Sequence, residues 1–216
     1  DLARTSSARL VVIGTELTSM SRHTAQWREL VARVRARFPG RLTFAANQLA
    51  GASKIEFWDA LDYVGIDAYM PLAANNPNPT VEELVHAWTE FRDETGVRHH
   101  YLDQIGALQR RTRKPVLFTE LGYRSGLGTA ARPWDWDSPL VAAQEPQARA
   151  YEAAFRVWSK VPWCRGIYWW DWHAGSFDRA DSGYNPRGKS AERVLRAWAP
   201  PGRAPAGQLE RRQHWD

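Results

Sequence analysis

The chain has 216 residues, of which 44% are hydrophobic and 25% charged. That is the balance of a globular protein, and no apolar run is long enough to span a membrane. The net charge of +5 comes mostly from arginines scattered through predicted helices. The one dense cluster (Arg110, Arg111, Arg113 and Lys114) sits at a helix end, where cations suit the dipole, so no nucleic-acid partner is expected. Cys164 is the single cysteine, which excludes an intrachain disulfide.

In chain order, Leu10 to Ile13 reads as a short buried strand, followed by Gly14, Thr15 and Glu16. Thr24 to Phe38 carries Trp27, Leu30, Val31 and Val34 at helical spacing and stops at Pro39-Gly40. Leu42 to Ala46 is a second strand ending at Asn47. Phe57 to Leu61 is a helical turn, and Tyr63 to Ile66 a third strand leading into Asp67-Ala-Tyr69. Val81 to Thr95 and His99 to Arg113 read as two helices, or one interrupted near Gly96. Pro115 to Thr119 is the fourth strand, ending at Glu120 with Gly122 beyond it. A long loop from Tyr123 to Gln144 leads to a helix over Glu145 to Lys160. Arg165 to Trp170 is the fifth strand, and Ser190 to Trp198 the last helix.

Strands alternating with helices, with long loops only after strands, predict an α/β fold with a parallel sheet of the (β/α)8 type. A full barrel needs about 250 residues, so the five units here read as strands four to eight, without the first three βα units. The domain is expected over 1–199, with 200–216 a Pro-rich, charged tail. The chain has no initiating Met and no signal-peptide pattern, and its first strand starts close to residue 1, so its true beginning is expected to lie elsewhere.

Glu16 and Glu120 each follow a threonine at the end of an apolar run. A carboxylate placed there is costly unless it has a partner or a role, and ligands of such folds gather at the carboxyl ends of the strands. Two carboxyl groups about the anomeric carbon are what glycosidic hydrolysis needs: one protonates the leaving oxygen, and the other attacks or activates water. The alternative is a pair of salt-bridged surface glutamates. Twelve tryptophans fit both a sugar-stacking surface and a large core.

Four stretches carry a family resemblance: Val12-Ile-Gly-Thr-Glu-Leu17, Tyr63-Val-Gly-Ile-Asp-Ala-Tyr-Met-Pro-Leu72, Phe118-Thr-Glu-Leu-Gly-Tyr123 and Gly166-Ile-Tyr-Trp-Trp-Asp-Trp172. Together, and in this order, they resemble glycoside hydrolase family 113, the retaining β-1,4-mannanases of clan A. The resemblance implies that Glu16 is the acid/base and Glu120 the nucleophile, with Tyr69 hydrogen-bonding the nucleophile. It implies that the Trp169–Trp170 pair forms an aromatic floor, of which alternation lets one face inward; Trp170 is favoured. Thr15 stands where much of the clan has Asn.

Other candidates remain open. Asn47 suits a sugar hydroxyl or a turn equally. Trp134 and Trp136 read as a distal sugar platform or as loop packing. Asp171, with His173, is placed to bind substrate or, as the weaker reading, a metal. His99-His100 reads as a solvated helix start, and Asp178, Asp181 and Asn185 match a calcium loop only loosely, so neither metal nor cofactor is expected. The expected activity is retaining, endo-acting cleavage of β-1,4-linked polysaccharide, most simply mannan. The alternative is a carbohydrate-binding remnant without turnover; a barrel enzyme acting on something other than sugar is a third reading. The partner is then a β-linked glycan, not a nucleic acid or a membrane, and a complete barrel would be monomeric. By analogy the location is secreted or cell-surface.

Overall fold

The structure is a computed structural model that describes residues 2–6, 8–175 and 178–199; the expected tail, 200–216, lies outside them. The elements are α1 (Leu2–Thr5), β1 (Leu10–Thr15), α2 (Thr24–Arg35), β2 (Arg41–Asn47), α3 (Gln48–Lys54), a 3-10 turn (Trp58–Ala60) and β3 (Val64–Asp67). There follow α4 (Val81–Thr89), β4 (Phe91–Arg92), β5 (Arg98–His99), α5 (Tyr101–Thr112), β6 (Val116–Leu121), α6 (Gln144–Trp158), β7 (Cys164–Trp169) and α7 (Ser190–Trp198). The chain divides into two compact units. The first runs to Met70 and adds His99–Leu121 and Trp158–Trp169; the second comprises Pro71–Arg98, Gly122–Val157 and the chain from Trp170.

The first unit holds a five-stranded sheet in the order β1-β2-β3-β6-β7, each adjacent pair parallel. The central strands β2 and β3 are buried almost throughout, which explains why their sequences are apolar runs without alternation. Trp27 of α2 stacks on Phe57 at 5.3 Å and meets Phe44 of β2 edge-on at 5.0 Å. Its indole N–H donates to the Met20 carbonyl, so the ring is both packed and hydrogen-bonded. Asp62 ties the lower end of the sheet: it accepts from the Leu42 N–H and pairs with Arg35 and Arg41. Burial pushes the Asp62 carboxyl up, but these donors outweigh it and hold it below its ordinary value.

Predicted strands lie within a residue or two of the observed ones, while two helical expectations are corrected. The helix expected over Val81 to Thr95 ends at Thr89. Thr80 and Glu83 start it with reciprocal side-chain-to-backbone bonds, a capping box. Beyond Thr89 the Asp93 carboxylate accepts from the N–H groups of Thr95 and Val97, and Gly96 takes φ +87°. A short Asp side chain that captures backbone donors favours a turn over a helix, and the result is the β4–β5 hairpin. Helix α3 was not anticipated: Gln48-Leu-Ala-Gly-Ala-Ser-Lys54 is too short and too weak in apolar spacing to be read as one. The helix expected to reach Phe38 stops at Arg35, because the residue before Pro39 is disfavoured in helical geometry.

The second unit carries α4, α6 up to Val157, and α7. Trp198 stacks on Phe155 at 5.3 Å, and its indole N–H donates to Glu152. Lys189 is the anchor of the loop after β7. Its side chain is 0% exposed, and its ammonium reaches the Asp181 carboxylate at 2.6 Å and the Ser125 hydroxyl at 2.7 Å. Asp181 was a loose calcium-loop candidate; its carboxylate serves this lysine and the Gly183 N–H instead. Removing one partner of a buried ion pair leaves the other uncompensated. Asp181→Ala, which leaves the buried Lys189 ammonium without its carboxylate, is therefore expected to destabilise the protein by about 3 kcal/mol, read as a lowered urea midpoint. An unchanged midpoint would mean that the pair contributes little.

Candidate active site

Glu120 is the second-last residue of β6 and is half-buried. Tyr69, buried just beyond β3, donates its hydroxyl to Glu120 Oε2 at 2.9 Å. Burial pushes the Glu120 carboxyl above its ordinary value, the tyrosine bond pulls it down, and the negative charge of Glu16 pushes it up again. Glu16 is thus near enough to be felt electrostatically, and the two strand-end glutamates share the first unit.

Glu16 itself follows β1, an outer strand of the sheet. Its backbone is left-handed, at φ +52°, a conformation that non-glycine residues adopt at a cost of about 1–3 kcal/mol. Two bonds hold it there: the Glu16 N–H donates to the Ala45 carbonyl of β2, and its own carbonyl accepts from Thr18 N–H at 2.7 Å. The turn carries the side chain out of the strand's alternation, and the residue is exposed.

A third acid completes the group, and the sequence analysis did not single it out. Asp67 ends β3 and is 0% exposed. Its Oδ1 accepts from the Thr119 hydroxyl at 2.7 Å, while its Oδ2 has no hydrogen-bond partner. Between β3 and β6 the register slips: Ile66 pairs with Phe118, but Asp67 pairs with Glu120. Thr119 is the extra residue, and bulges of this kind re-aim neighbouring side chains. Burial above all, with the charges of Glu120 and Glu16, pushes Asp67 up to about 7 against the pull of Thr119. A carboxyl group in such a place keeps its proton near neutrality. The signal was present in the sequence as an acid ending the apolar run Val64-Gly-Ile66, the same pattern that marks Glu16 and Glu120.

The remaining candidates are placed as follows. Asn47 caps α3 at the end of β2 and makes no side-chain cap bond; it is exposed. Trp169 pairs in register with Leu121 and is half-buried in the first unit. Trp170 belongs to the second unit and is 46% exposed. Its carbonyl lies where a Cβ on Gly122 would stand, at 2.2 Å, so only glycine fits after β6. Asp171 contacts His173 Nε2 at 2.6 Å. Trp134 lines a cavity of the second unit, whereas Trp136 is strongly exposed and lies outside that lining. Asp135 between them accepts from the N–H groups of Asp137 and Ser138, which fixes the turn. His100 caps α5 and His99 stacks on Tyr101. No cluster of three potential metal ligands occurs among the described residues, and no described helix is long and apolar enough to cross a membrane.

Comparison with known proteins decides the relationship. The model of Glycoside Hydrolase Family 113 matches residues 1–189. The chain belongs to glycoside hydrolase family 113. It superposes on a GH113 β-1,4-mannanase, solved as a complex, with TM-score 0.74 and 28% identity over 91% of this chain and 57% of that one. The family 113 β-mannanase AaManA of Alicyclobacillus acidocaldarius, solved with the ligand ManMIm, is 30% identical with TM-score 0.73, over 91% and 56% of the two chains. The chain therefore spans less than three-fifths of the length of these family 113 structures, and its α/β sheet is part of such a barrel. A β-glucuronidase of Ruminococcus gnavus shares the fold at 13% identity and TM-score 0.57, over 88% of this chain and 32% of that one. No curated protein matches in sequence.

Asp67 supplies a test of the site's electrostatics. Its folded pKa, about 7, stands above its ordinary 3.8, so between those values the native state holds a proton that the unfolded chain has lost. Stability must then fall as pH rises through that window, by up to about 4 kcal/mol. Asp67→Asn removes this slope. The variant is expected to gain on the wild type between about pH 4 and pH 8 in urea unfolding; parallel profiles would show that Asp67 titrates normally.

Proposed function

We propose that the protein is a retaining glycoside hydrolase that cleaves β-1,4-linked mannan internally by double displacement. The observation that carries this reading is the placement of Glu16 and Glu120 at the carboxyl ends of parallel strands of one sheet, with Tyr69 bonded to Glu120. Glu120 attacks the anomeric carbon while Glu16 protonates the leaving oxygen. Glu16 then takes a proton from water, which frees the sugar. Tyr69 steadies the ionised nucleophile. Asp67, kept neutral and bonded to Thr119, holds the bulge that aims Glu120 without adding another negative charge beside it. The substrate class is supported by the two β-mannanases on which the chain superposes. Within the first unit, Trp169 and Asn47 are the proposed sugar contacts. No metal or cofactor is required by this chemistry.

A second reading is favoured by one observation. An acid kept protonated near neutral pH is normally sheltered from water, and Glu16 is exposed. On that reading the chain binds glycan without turning it over. Reducing-end release from soluble β-1,4-mannan separates the two: release supports the hydrolase, and binding without release supports the alternative. Glu120→Gln is expected to abolish release while leaving mannan affinity within a few-fold; wild-type rates in that variant would end the proposal.

Tyr69→Phe tests the coupling more finely. Loss of the hydroxyl removes the one bond that lowers the Glu120 pKa, so the acid limb of the pH–rate profile should move to higher pH, with kcat reduced about 10- to 100-fold. An unmoved limb would show that the bond does not tune the nucleophile.

A further inference from the structure

Among the described residues, three that are not glycine have left-handed backbones, and all lie in the first unit: Glu16 (φ +52°), Gln48 (φ +51°) and Arg113 (φ +55°). Arg113 caps the end of α5, where such a residue is ordinary. The other two follow β1 and β2, parallel neighbours in the sheet. Glu16 is the acid/base of the proposed reaction, so its turn has a use. Gln48 has no such account. Glycine adopts this conformation without steric cost, and Asn or Asp eases it by local hydrogen bonding, but glutamine does neither. Residue 48 therefore carries its side chain at a cost to its backbone.

A cavity of about 450 Å³ in the first unit receives that side chain, and its size is that of a small-molecule site. Gln48 lines it together with Asn47, with Thr18, Ser21 and Arg22 from the turn after Glu16, and with Lys54 of α3. The Thr18 and Ser21 hydroxyls are already spent on the carbonyls of Glu16 and Thr18. Arg22 and Lys54 are exposed, and water serves their charges. Gln48 is half-buried, and among the described residues its amide and that of Asn47 have no hydrogen-bond partner. Thr18, Ser21 and Asn47 also line, with Glu16, a smaller adjoining hollow. The free amides thus stand beside the proposed acid/base.

We propose that Gln48 is a specificity-determining residue, whose amide binds hydroxyl groups of the hexose unit on the leaving-group side of the cleaved bond. Glu16 hands its proton to the leaving oxygen, so the departing unit lies on the Glu16 side, and the wall of the cavity begins two residues beyond Glu16. A carboxamide donates through its N–H groups and accepts through its oxygen. That matches a pair of neighbouring sugar hydroxyls, each both donor and acceptor. A site built to bond hydroxyls rejects analogues lacking them far more strongly than apolar contact does, so Gln48 selects as well as binds. The choice of a hexose rests on the hydrolase reading; the backbone cost at residue 48 and its place in the cavity do not.

Mannotetraose titrated into the full chain carrying Glu120→Gln, followed by NMR of side-chain amides, tests it. The Gln48 amide resonance should shift with the titration. Adding Gln48→Gly should weaken affinity about five- to tenfold, the loss of one hydrogen bond, while raising the urea midpoint, since glycine takes the turn without strain. Gln48→Asn keeps a shorter amide and suits the turn, so its affinity should fall between the two. A purely structural role would lower midpoint and affinity together. A strained turn without function would raise the midpoint and leave the affinity unchanged. Either result overturns the proposal, as does an unmoved Gln48 resonance. Sugar release by the wild type is read separately: binding without release fails the hydrolase reading alone, and release with unchanged affinity in Gln48→Gly fails this inference alone.

Discussion

The exclusion of water from Asp67 sets the terms on which the carboxyl end of the sheet is built. A carboxylate with no exposed surface cannot keep its charge cheaply, least of all beside a second acid that is paired with it across the strands. The structure gives Asp67 one donor, the Thr119 hydroxyl, and burial raises its pKa to about 7. That bond also fixes the slip in register between β3 and β6. Glu120 pairs with Asp67 across the slip, and its hydrogen bond to Tyr69 closes the arrangement on the other side. Asp67, Thr119 and Glu120 thus meet at one bulge.

This arrangement explains what the sequence could reveal. Glu16 and Glu120 were legible because each ends an apolar run, and such a run in an α/β chain points to the carboxyl end of a strand. Asp67 shares that grammar but looked like part of a motif. What distinguishes it is burial on every side, and burial follows from neighbours far away in the chain. The left-handed turn at Glu16 was equally hidden, since nothing in Gly14-Thr-Glu-Leu17 marks Glu16 rather than Gly14 as the residue with positive φ.

The helices teach a related lesson. Ser190 to Trp198 was read to the residue because α7 is amphipathic and its apolar ring, Trp198, lands on Phe155. The stretch after Thr89 was misread because one aspartate outcompeted the helix for its backbone donors. Local hydrogen bonding of this kind depends on a single side chain, and periodicity does not register it. The cavity of the second unit was beyond reach for a different reason: Pro71, Phe91 and Trp134 come from separate stretches and become a wall only when folded.

The same interleaving bears on how the chain can be cut. Each unit is assembled from three segments that alternate along the sequence. Neither unit is complete in a chain that stops short of β7 and Lys189, the last strand of the first and the anchor of the second. A stop codon anywhere between Met70 and Trp169 takes material from both units at once. Separate expression of either unit would need its three segments to be reconnected by new linkers.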